Sequence, residues 1–363
     1  MRVRNSAGVA AIAVGVVAAT ALGAPQAGAS TSRPAASSRV MTTGLDDPFG
    51  LANLPNGGFV VAENKSGQVT YVSPSGAQRV LVSGAPGVAG VAYGGGKVYS
   101  VIGGPDETGR PSGGRFGSSR VLRTDLKTGR TTVIANLLRY ELRHNPDGQK
   151  QFVKGKPVDA LSNPFSMTMT PRGLLIADGG ANDVLKVNPR SGRISTFFVP
   201  HTVTNVPACR GKGANANPGT KGCDPVPTGV TLAKGSVWVS TLGAEAPRAG
   251  RVYKLNPRNG HVRRVWGSFT APTGVAVGRD GSIYVSQVFY NAPQGAPPPG
   301  FNPASVGRII RVSHGHVSTA RVTMPVGLKL VNGGLYSTSW SVASFLGIAH
   351  AGRIVRVERS QFH

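Results

Sequence analysis

The chain has 363 residues, and its 51 glycines and 27 prolines make up about a fifth of it, against an average of about 12 %. That density of breakers excludes a largely helical protein, while 40 % apolar residues, with 12 Phe, 8 Tyr and 3 Trp, exclude wholesale disorder. Forty Lys and Arg against fifteen Asp and Glu leave a formal charge of +25. The basic residues are scattered singly, which reads first as a solvated basic surface. The other reading is contact with anionic partners such as cell-wall polymers, acidic glycans, phospholipid head groups or nucleic acid, with no block that marks specific nucleic-acid recognition.

Residues 1–29 read as a secretory signal peptide. Arg2 and Arg4 form the positive start, Ala7 to Leu22 is an uncharged apolar run, and Ala27-Gly28-Ala29 supplies small residues for cleavage near Ala29-Ser30. Retention of the segment as an uncleaved anchor is the alternative. Cleavage removes two Arg and no acid, so the mature chain keeps its strongly basic balance. Residues 30–39 (STSRPAASSR) read as a flexible lead-in. No second apolar run of membrane length follows, and a secreted, extracytoplasmic monomer without a transmembrane segment is expected.

From residue 40 to 363 the chain repeats. PFGLANLPNGGFVVAENKSGQVTYVSPSGAQRVLV opens the series, and PFSMTMTPRGLLIADGGANDVLKVNPRSGRISTFFV and PTGVTLAKGSVWVSTLGAEAPRAGRVYKLNPRNGHVRRVW are its clearest later copies. The marker position falls at Gly50, Gly90, Ser166, Gly229, Gly274 and Gly327. Its shortest spacing, 40 residues, matches a four-stranded propeller blade. Each unit offers four strands, A to D, except the sixth, which has three. The missing outer strand is available at Val40–Leu45, so the pattern predicts an all-β, six-bladed propeller closed by its N-terminal strand, with no free edge.

Turns between A and B are tight in every unit, and those between C and D are tight in the five units that have one. The long insertions fall between B and C or between D and the next A, which antiparallel pairing places on one end of the ring. That end is the expected working face. It receives Glu63, Asn64, Asp178, Asp183 and Gln287 from strand ends, Phe289 and Tyr290 from the fifth insertion, and further aromatics at Phe116, Tyr140, Phe152, Phe301, Trp340 and Phe345. Glu63 and Asp178 occupy equivalent positions, as structural carboxylates accepting N–H bonds from the next turn or as ligand contacts. Asn145-Pro146-Asp147-Gly148 reads chiefly as a turn, with Ca²⁺ contact the lesser alternative. Cys209 and Cys223 bracket a Gly/Asn/Lys-rich insertion, and a disulfide between them suits an oxidising compartment.

LRYELRHNPDG, then Asn163-Pro164-Phe165, then LIADGGANDVLKVNPRSGRISTFFV, resemble the ScyD/ScyE family of exported proteins. The resemblance implies export and a six-bladed TolB-like or NHL-like propeller, but no reaction. The family pattern differs at Phe165-Ser166, where it has Tyr-Gly, and at Gly179, where it has Ala.

The gluconolactonase class of six-bladed propellers holds its metal with Glu, Asn and Asp just before the first-strand glycine. Here those places carry Phe49, Ala89, Phe165, Thr228, Thr273 and Val326, so no metal site of that type is expected. A G-x-S-x-G hydrolase elbow is also missing. His314, His316 and His261 fall in turns of the opposite face, leaving His144, His201 and His350 on the working face. The residues thus point to a binding or scaffold module for a small molecule, an anionic or polyhydroxylated glycan, or a cell-wall polymer. The alternative is a propeller lyase or hydrolase on a small extracellular substrate. No cofactor is named, with room left only for a divalent ion at the channel mouth.

Overall fold

Short runs rich in Val, Ile, Tyr and Phe, most of them ended by a Gly- or Asn-containing turn, pair with their immediate sequence neighbours. The computed structural model describes residues 38–105, 112–158, 160–211, 217–293 and 295–363. The expected signal peptide and most of the lead-in lie outside the described residues. Blade one is Pro48–Asn53, Phe59–Glu63, Gln68–Val72 and Gln78–Val82. Blade two is Val88–Gly94, Lys97–Ile102, Arg120–Asp125 and Thr131–Asn136. Blade three is Pro164–Thr170, Gly173–Asp178, Asp183–Val187 and Ile194–Phe198. Blade four is Pro227–Ala233, Ser236–Thr241, Gly250–Leu255 and Val262–Phe269. Blade five is Gly274–Val277, Ile283–Gln287, Arg308–Ser313 and His316–Ala320.

Blade six contributes Leu328–Val331, Gly334–Ser339 and Gly352–Val357, and its outer strand is the N-terminal Arg39–Leu45. Arg39 stands opposite Arg356 and Val40 opposite Val355 in an antiparallel ladder. The ring is closed as the repeat count requires. Blades one and six also meet through Phe59 and Tyr336, whose ring centroids are 4.8 Å apart.

The core lies between blades. Val60, Val69, Val91 and Leu122 join blades one and two, and Val101, Val121, Leu174 and Leu185 join two and three. Equivalent clusters follow around the ring. The marker glycines have a steric origin. A Cβ on Gly50 would sit 2.6 Å from the Ala89 carbonyl oxygen, and one on Gly90 would sit 2.8 Å from the Ser166 Cα. Inner strands of adjacent blades approach backbone to backbone, and only glycine leaves room. Ser166, the one departure, uses its hydroxyl: Oγ accepts a hydrogen bond from the Val230 amide at 3.0 Å.

One element is not anticipated by the all-β reading. The insertion after blade two opens with an α-helix, Leu137–His144, capped by Asn136, whose side chain accepts from the Arg139 amide at 2.9 Å. Eight residues free of Gly and Pro and rich in Leu, Arg and Glu account for it. Leu137 and Glu141 are its buried residues.

Candidate binding face

The inner strands surround an axial channel from Phe49–Leu51 round to Val326–Lys329. Its cavity is about 50 Å³, room for a water molecule or two and too narrow for a sugar. Lys329 is the one charged residue in the lining, and desolvation lowers its pKa.

On the long-loop end the mouth is filled by apolar side chains. Phe49 and Phe165 stack with centroids 5.4 Å apart, within a cluster containing Val288, Val306, Met324 and Val326, flanked by Phe289, Phe301, Trp340 and Leu346. The six places just before the inner-strand marker positions are part of this floor. Two of them are hydroxyls, and these are spent on the scaffold: Thr228 donates to the Pro272 carbonyl at 2.8 Å and Thr273 to that of Pro325 at 3.3 Å. The residues do not fit a metal at the axis.

The acids of the sequence reading are at the expected end of their strands, but inside the protein. Glu63 accepts from the Asp46 amide at 2.8 Å and from the Thr70 hydroxyl, and burial raises its pKa. Asp178 accepts from the Ser162 hydroxyl at 2.7 Å and the Asn163 amide at 2.6 Å, and full burial brings its pKa to about 6. Both acids tie an incoming loop to the blade that follows. Asn64 is half-buried and donates to the Val88 carbonyl at 3.3 Å. Asp183 pairs with Asp178 in the ladder and is completely buried, yet neither carboxylate oxygen has a hydrogen-bond partner among the described residues. Burial and the charges of Asp178, Glu141 and Asp147 push its pKa well above the usual carboxylate value.

Blade five carries the exposed part of the face. Gln287 is buried, its amide donates to the Thr270 carbonyl, and its Oε1 accepts from Arg308 Nε at 2.7 Å. The same guanidinium lies 3.6 Å from the centroid of Tyr290, which is 41 % exposed. Phe289 packs into the apolar floor. In blade six, Arg353 stands 5.9 Å from the Trp340 ring, and Phe345 is 56 % exposed. Arg308 was not singled out from sequence, although it faces Gln287 across the ladder and register alone would locate it. Among the described residues, no three of His, Cys, Asp and Glu converge into a metal-binding group. His350 pairs with Asp46 at 3.0 Å and His144 stacks on Tyr140 at 4.3 Å.

The insertion between blades three and four is stapled by Cys209–Cys223, with Cα atoms 5.1 Å apart. Val203 and Ala249 pack around the bond. No helix among the described residues is long and apolar enough to cross a membrane.

No family model and no curated protein matches the chain in sequence. Solved structures match in fold. A streptogramin B lyase superposes with a TM-score of 0.50 at 12 % identity, over 90 % of this chain and 97 % of that one. The PQQ-bound aldose sugar dehydrogenase of Streptomyces coelicolor gives 0.51 at 15 % identity, over 88 % and 96 %. A gluconolactonase of Xanthomonas campestris gives 0.53 at 11 % identity, over 88 % of each chain. The chain is a six-bladed β-propeller. At these identities the likeness extends to the fold and not to the chemistry.

Proposed function

We propose that this propeller is an extracytoplasmic binding module whose ligand, an anionic or polyhydroxylated glycan, docks on the face built by the blade-five and blade-six insertions. The observation that carries this reading is the arrangement of Tyr290 over Arg308, itself held by the buried Gln287. An aromatic ring offers a stacking surface for a sugar, an adjacent guanidinium offers paired donors for a carboxylate or sulfate, and Gln287 fixes the guanidinium in place. Exposed Phe345 and partly buried Trp340 extend the platform over a floor that is already closed. The basic balance of the chain would draw such a polymer in. Export is supported by the Cys209–Cys223 bond together with the N-terminal sequence pattern. Kinship with the ScyD/ScyE proteins rests on the motifs from Tyr140 to Ser195.

Binding is tested by calorimetry against a uronic-acid polysaccharide, a sulfated polysaccharide and a neutral glucan. One of the anionic polymers should bind, more weakly as salt rises. Tyr290→Ala with Phe345→Ala should lower that affinity by about three- to tenfold per ring. His314→Ala with His316→Ala, on the opposite face, should leave it unchanged. Loss of binding in the histidine pair alone would put the site at the other end of the ring. These exposed positions are preferable to Glu63 and Asp178, whose replacement disturbs the scaffold itself.

A further inference from the structure

Away from the axis, the turn joining the second and third strands of blade three lies under the insertion that contains the Leu137–His144 helix. Asn182 of that turn donates to Asp147 Oδ2 at 3.1 Å and accepts from the Val226 amide at 3.2 Å, so both neighbouring insertions are tied to this point. Asp183 follows directly. Its carboxylate is completely buried with both oxygens unpartnered, and every charge that acts on it among the described residues is negative: Asp178, Glu141 and Asp147. Asn145 Oδ1, two residues before Asp147, is likewise buried without a donor. A buried carboxylate normally collects amide or hydroxyl donors, as Asp178 and Glu63 do here. Asp183 has none among the described residues, and the charged groups that act on it are acceptors themselves.

We propose that Asp183 ligates a divalent cation of the calcium type, held between the blade-three turn and the Asn145–Gly148 loop. The donor set is all oxygen, which suits a hard cation and not a thiolate- or imidazole-seeking one. Since no three acids or histidines converge on one point among the described residues, amide and carbonyl oxygens and water must complete the shell, as calcium commonly allows. The ion would clip the insertion that follows blade two onto blade three. This site is separate from the axial position of the lactonase class and does not depend on the glycan reading.

The test uses the full mature chain, stripped with EGTA and titrated with CaCl₂ alone, followed by calorimetry and thermal melting. Calcium should bind at one site and raise Tm in proportion to the logarithm of its concentration. Asp183→Asn should lower the affinity at least about tenfold, the lower bound seen even for residues that only support a metal ligand, and remove most of the Tm response. Asp147→Asn should weaken binding in the same direction. Asp280→Asn, on the opposite face where Asp280 meets Arg311 at 3.4 Å, should behave as the parent chain. A parent chain indifferent to calcium, magnesium and manganese would overturn the proposal. So would a full calcium response retained by Asp183→Asn, or a calcium-independent rise in that variant's Tm, the signature of a protonated acid. Should Asp183→Asn not fold, the parent and Asp147→Asn titrations decide.

Discussion

At the scale of single residues, the buried acids are the most informative side chains. Burial holds the Glu63 pKa above its ordinary value of 4.5, and hydrogen bonds from Thr70 and the Asp46 amide only partly offset this. The folded protein therefore keeps that proton to higher pH than the unfolded chain does. The contribution to stability is fully present below pH 4.5 and is lost as pH rises through the folded-state pKa. Glu63→Gln, which cannot ionise, should gain in Tm relative to the parent as pH is raised from 4.5 to 7. A gap that stays constant, or moves the other way, would show that the ionised form is favoured in the fold. The glycines of the inner ring give a second residue-scale expectation. At Gly274 an added Cβ would collide with the Val326 carbonyl oxygen even more closely than at Gly50. Gly274→Ala should cost about 1–3 kcal/mol through overpacking, read as a lower denaturation midpoint at unchanged slope. Gly315→Ala, in a turn where nothing lies within 4 Å, meets no such collision, although its positive φ adds some strain of its own.

At the scale of elements, closure of the ring rests on seven residues far from the strand that they pair with. Arg39–Leu45 covers the outer edge of Gly352–Val357. Without it the third strand of blade six would present unpaired backbone groups to solvent. Deleting residues 39–45 should lower Tm and bring concentration-dependent aggregation, checked by light scattering, though no residue of the binding face is touched. An unaltered melt would mean that the ladder contributes nothing to ring stability. The Cys209–Cys223 bond works on a smaller unit. The cysteines are 14 residues apart, and by the chain-entropy argument such a loop closure is worth about 3 kcal/mol. Cys209→Ser with Cys223→Ser should lose stability of that order while keeping the β circular dichroism of the ring.

At the scale of the whole molecule, the division into a trimmed and an elaborated end is the main organising fact, and it was legible from loop lengths alone. Four-strand repeats with tight turns at one end leave a single place for insertions, and the blades follow that pattern. Strand order, ring closure and the disulfide were readable because each depends on local periodicity, on turn residues or on a count: three strands in the last unit, and two cysteines. The short helix at Leu137–His144 was missed because eight residues inside a long insertion carry no repeat signal. The site was legible only in outline. Periodicity placed Glu63, Asp178, Asp183 and Gln287 at the correct strand ends, but burial is a property of the loops folded over them. All four are buried, three of them with donors from loops or neighbouring strands, and Asp183 is left among other acids. Likewise Phe49 and Phe165 come from blades one and three, and only the closed ring brings their rings together to floor the channel. Local pattern decides which strands form and in what order they pair, since each hairpin is a short-range event. Which side chains meet at the axis follows from contacts such as Phe49 with Phe165, more than a hundred positions apart. Which acids are sealed from water follows from loops folded back over the strand ends, and neither is a property of the local pattern.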